Sequence, residues 1–217
     1  MTILKMHDRP CYLRAEDHKY IYLPTGEQMA LSVTRVVNWF KPPYSGPKSA
    51  GLRGTHTHLY WQAKAEKKRR PKPISPDGID CKDWFDQIES MPFWNHVETI
   101  AAEYTMVDTK KSLGGQLDLL CRYKGKTLLV DLKTKGASWT NASKEDIEEY
   151  KAQAGGYCHL LDLGNDAKGG FWVDECRTCV VTPKRVKWLP PMSTEECSIA
   201  WQNCWDRYGA WLLANPF

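Results

Sequence analysis

No apolar run in the sequence approaches about 18 residues, so nothing in it is long enough to cross a membrane as a helix. Its opening, Met1-Thr-Ile-Leu-Lys-Met-His-Asp-Arg9, lacks the apolar core of a signal peptide, which gives the expectation of a cytoplasmic protein, or one of the host-cell cytoplasm if its source is viral. There is no internal repeat and no low-complexity segment. Acid is almost missing from one stretch. Between Lys41 and Lys72 stand nine basic residues and one acid, Glu66, a net of about +8 within a chain whose total is +4. A solvated helix face is the plain account of such a run. A basic surface that holds a polyanion is the other.

What is present suits a globular chain. Of the 217 residues, 42% are hydrophobic and 26% charged, enough for one well-packed domain or one domain with a small appendage. Eight cysteines without a signal peptide read as free thiols or metal ligands before disulfides.

The segment from Gly114 to Thr134 concentrates the chemistry. Two apolar runs flank a Lys124-Gly125 turn and predict a β-hairpin. That register sets Asp118 opposite Asp131, and strand alternation puts Lys133 on the side of Asp131. Like charges facing each other destabilise a sheet, and ionised carboxylates among leucines are costly to bury. Two acids and a lysine converging there point to a divalent cation and a phosphate. The alternative is an edge hairpin whose polar face meets water.

The remaining elements follow from periodicity and punctuation. Residues 10–31 read as a β-meander with strands at 20–23 and 29–31, and Ser32 and Thr34 offer caps for a short helix carrying Val33, Val36, Val37 and Phe40. A Pro/Gly loop spans 41–48. A helix is expected from about Ser49 to Arg70, stopped by Pro71, with His58 one turn beyond Gly54 and Thr55. Helical pieces at 81–89 and about 93–102 come next. Glu103 would then stand at the mouth of a strand over 104–108. A loop at 136–144 leads into a helix over about 144–163, where Gln153 and Tyr157 share a face and Gly155-Gly156 implies close packing against the sheet. Strands are expected at 169–174, 178–182 and 185–189. Ser193 and Glu196 form a capping box for a last helix with Ile199, Trp201, Trp205, Tyr208 and Leu212 as a core stripe. The expected class is α/β, a mixed central β-sheet flanked by helices, with a small N-terminal β-meander and a C-terminal helix. It is read as a single domain over 1–217, with a core at about 49–182, an extension at 1–48 and the last helix at 193–214.

Taken in order, Gly54-Thr-His-Thr-His58, Gly115-Gln-Leu-Asp118, Asp131-Leu-Lys133 and Gln153-Ala-Gly-Gly-Tyr157 resemble the motifs of the PD-(D/E)xK nuclease superfamily. They look most like its RecB-type exonuclease branch, which includes phage and mitochondrial genome-maintenance exonucleases. The resemblance spans about residues 32–160 and implies a restriction-endonuclease-like core. It implies that His58, Asp118, Asp131 and the backbone carbonyl of Leu132 hold one or two Mg²⁺ or Mn²⁺ ions. Asp118, Asp131 and Lys133 would be catalytic, with Glu103 as a conditional member. Gln153 and Tyr157 would bind DNA or brace the site, and Arg53, Lys64, Lys67, Lys68, Arg69 and Arg70 would contact phosphates. Some relatives carry an iron–sulfur cluster on one cysteine before the His motif and three near the C-terminus. Cys11 precedes the His motif and Cys176, Cys179, Cys197 and Cys204 follow it, enough for that count, but their spacing and strand or helix context do not fit the cluster.

The implied activity is metal-dependent hydrolysis of phosphodiester bonds at DNA ends, single-stranded by preference, in recombination, repair or viral DNA processing. DNA would be the partner, with a recombination or replication protein a further one. A structure-specific or restriction-type endonuclease is the alternative within the superfamily. A catalytically dead DNA-binding module would show a broken motif, and His58, Asp118, Asp131 and Lys133 are all present. A small-molecule metal hydrolase would have no use for the basic segment.

Overall fold

The computed structural model describes residues 11–42, 46–165 and 173–215, with the side chains of 163–165 left aside. A mixed six-stranded sheet runs through its centre. Three short strands come first: β1 (Cys11–Arg14), β2 (Lys19–Tyr22) and β3 (Glu27–Gln28) form a separate antiparallel sheet in the order β1-β2-β3. β4 (Leu31–Ser32) leaves that sheet and enters the central one. The central strands are then β5 (Val97–Asp108), β6 (Leu113–Tyr123), β7 (Lys126–Thr134), β8 (Glu175–Val181) and β9 (Val186–Trp188). Their order is β4-β6-β7-β8-β9, with β5 along the other edge of β6.

Helices cover both faces. α1 (Val33–Val37), α4 (Lys144–Asn165) and α5 (Thr194–Ala214) take one side, where Val33, Leu113, Leu120, Leu129, Leu160 and Trp201 share a core. α2 (Lys48–Ala65) and α3 (Lys82–Glu89) take the other, with Trp61, Phe85, Leu119, Val130 and Leu132. β7 alternates between them. Leu129 joins the α4 core, while Leu128, Val130 and Leu132 join the α2 core, so Asp131 and Lys133 face α4.

The caps behave as the sequence implies. Ser32 Oγ accepts from Arg35 N, and Ser193 and Glu196 form the reciprocal box. Ser143 Oγ accepts from Asp146 N while Asp146 accepts from Ser143 N.

Several boundaries differ from the sequence reading. α2 stops at Ala65, well before Pro71, because Lys67 turns into the left-handed region at φ 56°. The expected helix over 93–102 is a 3-10 turn, Pro92–Asn95, followed by strand. Val97 to Ala102 pair with β6, with a register shift between Thr99 and Ala101, instead of forming a helical stripe. The second strand of the meander is Glu27–Gln28, and the one at 29–31 is replaced by the short β4. Most of the strand expected at 169–174 lies outside the described residues, and β8 begins at Glu175. Ile199 is exposed, so it leaves the core stripe to Trp201 and Tyr208. Gly155 and Gly156 do pack closely, but against helices. A Cβ on Gly155 would stand 2.0 Å from Cys197 O of α5, and one on Gly156 2.7 Å from Val33 of α1.

β6 exchanges one partner for another along one edge. Leu31 and Ser32 of β4 pair with Leu113 and Gly114, and Lys126 to Val130 of β7 pair with Tyr123 to Leu119. Between them, residues 115–118 have neither neighbour on that edge. This opening in the sheet is a notch. Gly115 lies in it because a Cβ would meet Leu160 at 2.8 Å, Val33 at 3.1 Å and Tyr157 at 3.2 Å.

Two glycine substitutions should move stability in opposite directions. Gly155→Ala forces the α4–α5 contact apart and should cost about 1–3 kcal/mol in urea unfolding. Gly51→Ala in α2 meets nothing within 4 Å and should gain about 0.5–1 kcal/mol.

Candidate metal centre and active site

The registers align three acids. Residues of β5 and β6 pair as Ala102 with Leu119 and Tyr104 with Leu117, which leaves Glu103 level with Asp118. On the other side β6 and β7 pair up to Leu119 with Val130, which leaves Asp118 level with Asp131. Glu103, Asp118 and Asp131 thus form one row across three neighbouring strands, at the notch. Regular pairing fails along this row. Glu103 takes φ 47°, a left-handed conformation that costs of order 1 kcal/mol for a non-glycine residue. Its carbonyl accepts from Gln116 Nε2 at 3.1 Å. The amide that would bond across at Asp131's level is replaced as well, since Leu132 N donates to Asp118 Oδ2 at 2.6 Å.

His58 reaches this row from α2. Its Nδ1 lies 3.2 Å from Asp118 Oδ1 and 3.3 Å from Glu103 Oε1. One donor atom each from His58, Glu103 and Asp118 falls within 4.8 Å of the others, the one such group among the described residues. Burial works against the charged imidazole, but the attraction and hydrogen bond of Asp118, with those of Glu103, outweigh it and hold the His58 pKa well above its ordinary value. Asp118 is held low: burial opposes this, and His58, the Leu132 amide and Lys133 overcome it. Glu103 is raised, chiefly by burial, against the pull of His58. Burial pushes Asp131 up to about 6; Lys133 opposes this and Asp118 adds to it.

Lys133 closes the far end of the row. Its Nζ lies 3.0 Å from Asp131 Oδ2, donates to Asp131 Oδ1 at 3.3 Å, and donates to Gln153 Oε1 at 2.7 Å. Gln153 Nε2 in turn donates to Tyr157 Oη at 2.8 Å. Burial disfavours the ammonium, yet Asp131 and Asp118 raise its pKa on balance. The spacing of Gln153 and Tyr157, one turn apart on α4, lets a single helix face orient the lysine.

The donor chemistry fits a hard divalent cation. It is rich in carboxylate oxygen with one imidazole, and Asp131 Oδ2 is buried without a hydrogen bond of good geometry. His58, Glu103 and Asp118 are the residues already gathered, with Asp131 beside them. This set differs from the one the resemblance implies. Glu103 stands inside it, in mid-strand instead of at a strand mouth, and the contact Leu132 makes here is through its N–H.

The basic residues are more dispersed. Lys64 and Arg70 pair with Glu89, Lys68 with Glu66, and Lys41 with Glu149. Lys67 and Arg69 are exposed and lie past the end of α2, which runs about 10 Å of helix length beyond His58. The segment is therefore partly neutralised and displaced from the acid row. Arg53 stacks its guanidinium 4.6 Å from the Trp84 ring centre. Trp61 is fully buried against Phe93 and Trp94. Of the cysteines, Cys158 and Cys176 sit together with their Sγ atoms 3.8 Å apart, and Cys197 joins the same core. Cys176 and Cys179 face opposite layers of the sheet, and Cys11 lies by Met29 and Val107.

Sequence reading missed Tyr20. Its ring packs on Gly114, where a Cβ would come within 2.3 Å of it. Its phenol is pushed up to about 12 by burial, then by Glu103 and Asp118. A lone tyrosine in a short strand gives no signal of that position.

No family model and no curated protein matches the sequence. Among solved structures, one named "Putative exonuclease" from Eubacterium rectale has a TM-score of 0.55 at 14% identity, with 89% of this chain and 82% of that one covered. A second, SSO0001, covers 79% of this chain and 82% of its own at 9% identity, with a TM-score of 0.29. The first likeness is one of fold: the mixed sheet flanked by helices is an architecture that this chain shares with the Eubacterium rectale protein.

If the acid row is held in check by a cation, Glu103→Gln should melt no lower than wild type in metal-free buffer, because it removes a carboxylate whose ionisation the fold disfavours. The same variant should show a smaller rise in Tm on adding excess Mn²⁺. Differential scanning calorimetry with and without Mn²⁺ checks both.

Proposed function

We propose that the chain is a divalent-metal-dependent nuclease that hydrolyses phosphodiester bonds at DNA ends. The observation that carries this reading is the row Glu103–Asp118–Asp131 between His58 and Lys133. Three carboxylates opposed across a sheet make little sense for stability. They make sense as ligands beside a cationic side chain that faces a phosphate. The motifs of the PD-(D/E)xK superfamily and the likeness in fold to a protein named an exonuclease support the same reading.

His58, Glu103, Asp118 and Asp131 would hold Mg²⁺ or Mn²⁺. A cation there supplies Lewis acidity toward a phosphate oxygen and toward an attacking water. The protein side chains do the rest. Asp131, held in place by Lys133 Nζ 3.0 Å from its Oδ2, can accept a hydrogen bond from that water through its remaining lone pairs. Lys133 remains an ammonium, because two carboxylates favour its charge, and it stabilises the negative charge that builds on the phosphate. Gln153 and Tyr157 fix the direction of its N–H groups. The neighbouring leucines keep bulk water from the buried side of the row.

Asp131→Ala and Lys133→Ala should each lower Mg²⁺- or Mn²⁺-dependent degradation of labelled linear DNA by at least about 100-fold. Undiminished activity in either variant contradicts the assignment. Closed circular single strands should resist the enzyme. Their degradation would favour an endonuclease built on the same site.

A further inference from the structure

Beyond β7, the same sheet face carries a second row of residues that the acid centre does not use. The registers put Lys133 beside Val180 of β8 and Val180 beside Lys187 of β9. Cross-strand partners share a face and adjacent strands lie about 4.8 Å apart, so Lys187 stands about 10 Å from Lys133 on the side that bears Asp131. Buried side chains fill this interval. Lys133 Nζ lies 5.1 Å from the ring centre of Tyr150, and Tyr150 packs with Val180 and Leu189. Leu189 and Lys187 then line an open groove of about 650 Å³, together with Asn141, Ile147, Arg177 and Trp188.

The charge of this groove is one-sided. No carboxylate lines it. Arg177 is paired with Glu175, but Glu175 also takes Lys126, so the trio keeps a net positive charge. Lys187 Nζ donates to the neutral Asn141 Oδ1 at 3.0 Å, lies 6.0 Å from the Trp139 ring centre, and meets no carboxylate among the described residues. Arg185 donates to the Thr140 carbonyl at 2.8 Å and so ties the loop bearing Trp139 and Asn141 to the edge of the sheet. By contrast, the cavity of about 450 Å³ between α1, α4 and α5 sets Glu145, Glu148 and Glu149 against Lys41, Lys144 and Arg207 and so lacks a one-sided charge.

We propose that the groove along β9 holds a segment of single-stranded nucleic acid outside the acid row. Lys187 takes a backbone phosphate, Asn141 a sugar or base edge, and Trp139, beside Lys187, a base face. Single strands suit it because their bases are free to meet aromatic and amide side chains, whereas a duplex hides its base faces in the stack. The assignment rests on the nuclease reading and adds to it a subsite for several nucleotides beyond the bond that is cut.

The test is fluorescence anisotropy with a labelled oligothymidylate in metal-free buffer, where no cleavage interferes. Lys187→Glu should weaken binding roughly tenfold, and Lys187→Ala should lower the salt slope by about 0.7, the value for one phosphate contact on a single strand. Lys187→Arg should restore wild-type binding. Lys124→Glu, at the β6–β7 turn, should leave it unchanged. Equal weakening by the Lys187 and Lys124 variants would reduce the effect to overall charge and overturn the groove. So would an equal loss of binding to a blunt duplex of the same length. Wild-type binding by Lys187→Glu, in a preparation that still cleaves DNA, rejects the groove alone. A wild-type chain that neither binds nor cleaves DNA rejects the nuclease reading with it.

Discussion

Repulsion among three carboxylates is the constraint on which the centre of this structure depends. Glu103, Asp118 and Asp131 lie level on adjacent strands, and nothing in the sheet alone favours that arrangement. The surroundings answer it piece by piece. β7 parts from β6 at this level and gives up a rung of pairing, while the Leu132 amide turns to Asp118. Glu103 accepts a left-handed backbone so that its carboxylate meets those of its neighbours. His58 bridges Asp118 and Glu103, whose carboxylates raise its pKa against its burial, and Lys133 balances the other end. Strain and buried charge of this kind persist where the surrounding fold over-determines them, which is typical of sites used for chemistry.

The notch and the groove arise from the same register. β6 is flanked by β7 and then by β4, and the gap between them is filled by Val33, Tyr157 and Leu160 packed on Gly115. β8 and β9 continue the sheet on the other side of β7 and carry Lys187 to the level of Lys133. α4 spans both. Gln153 and Tyr157 orient the lysine at the acid row, while Tyr150, one turn earlier, packs toward the groove. One helix face thus supports the proposed cleavage site and the proposed strand path.

Much of this was legible in the sequence where the signal is local. The Lys124-Gly125 turn fixed the hairpin register and with it the opposition of Asp118 and Asp131. Ser32, Ser143 and Ser193 announced their helices. What failed was non-local. Glu103 looked like the start of a strand, because nothing near it reveals that the preceding residues 97–102 pair with β6. Gly155 and Gly156 signalled close approach, but not that the approaching elements are α5 and α1. The basic run read as one surface, yet Glu89, from another helix, neutralises part of it. Tyr20 and Lys187 pair locally with Leu13 and Val180, but the packing of Tyr20 on Gly114 and the β7–β8 pairing that brings Lys187 level with Lys133 join segments far apart in sequence, which periodicity does not report.

On the proposed reading the acid row exists to hold a divalent cation, and anomalous diffraction from crystals soaked in Mn²⁺ is the test. A peak bounded by His58, Glu103 and Asp118, with Asp131 drawn toward it and away from Lys133, is the expected result. A row that remains without metal at saturating Mn²⁺, with His58 still bridging the two carboxylates, would contradict it.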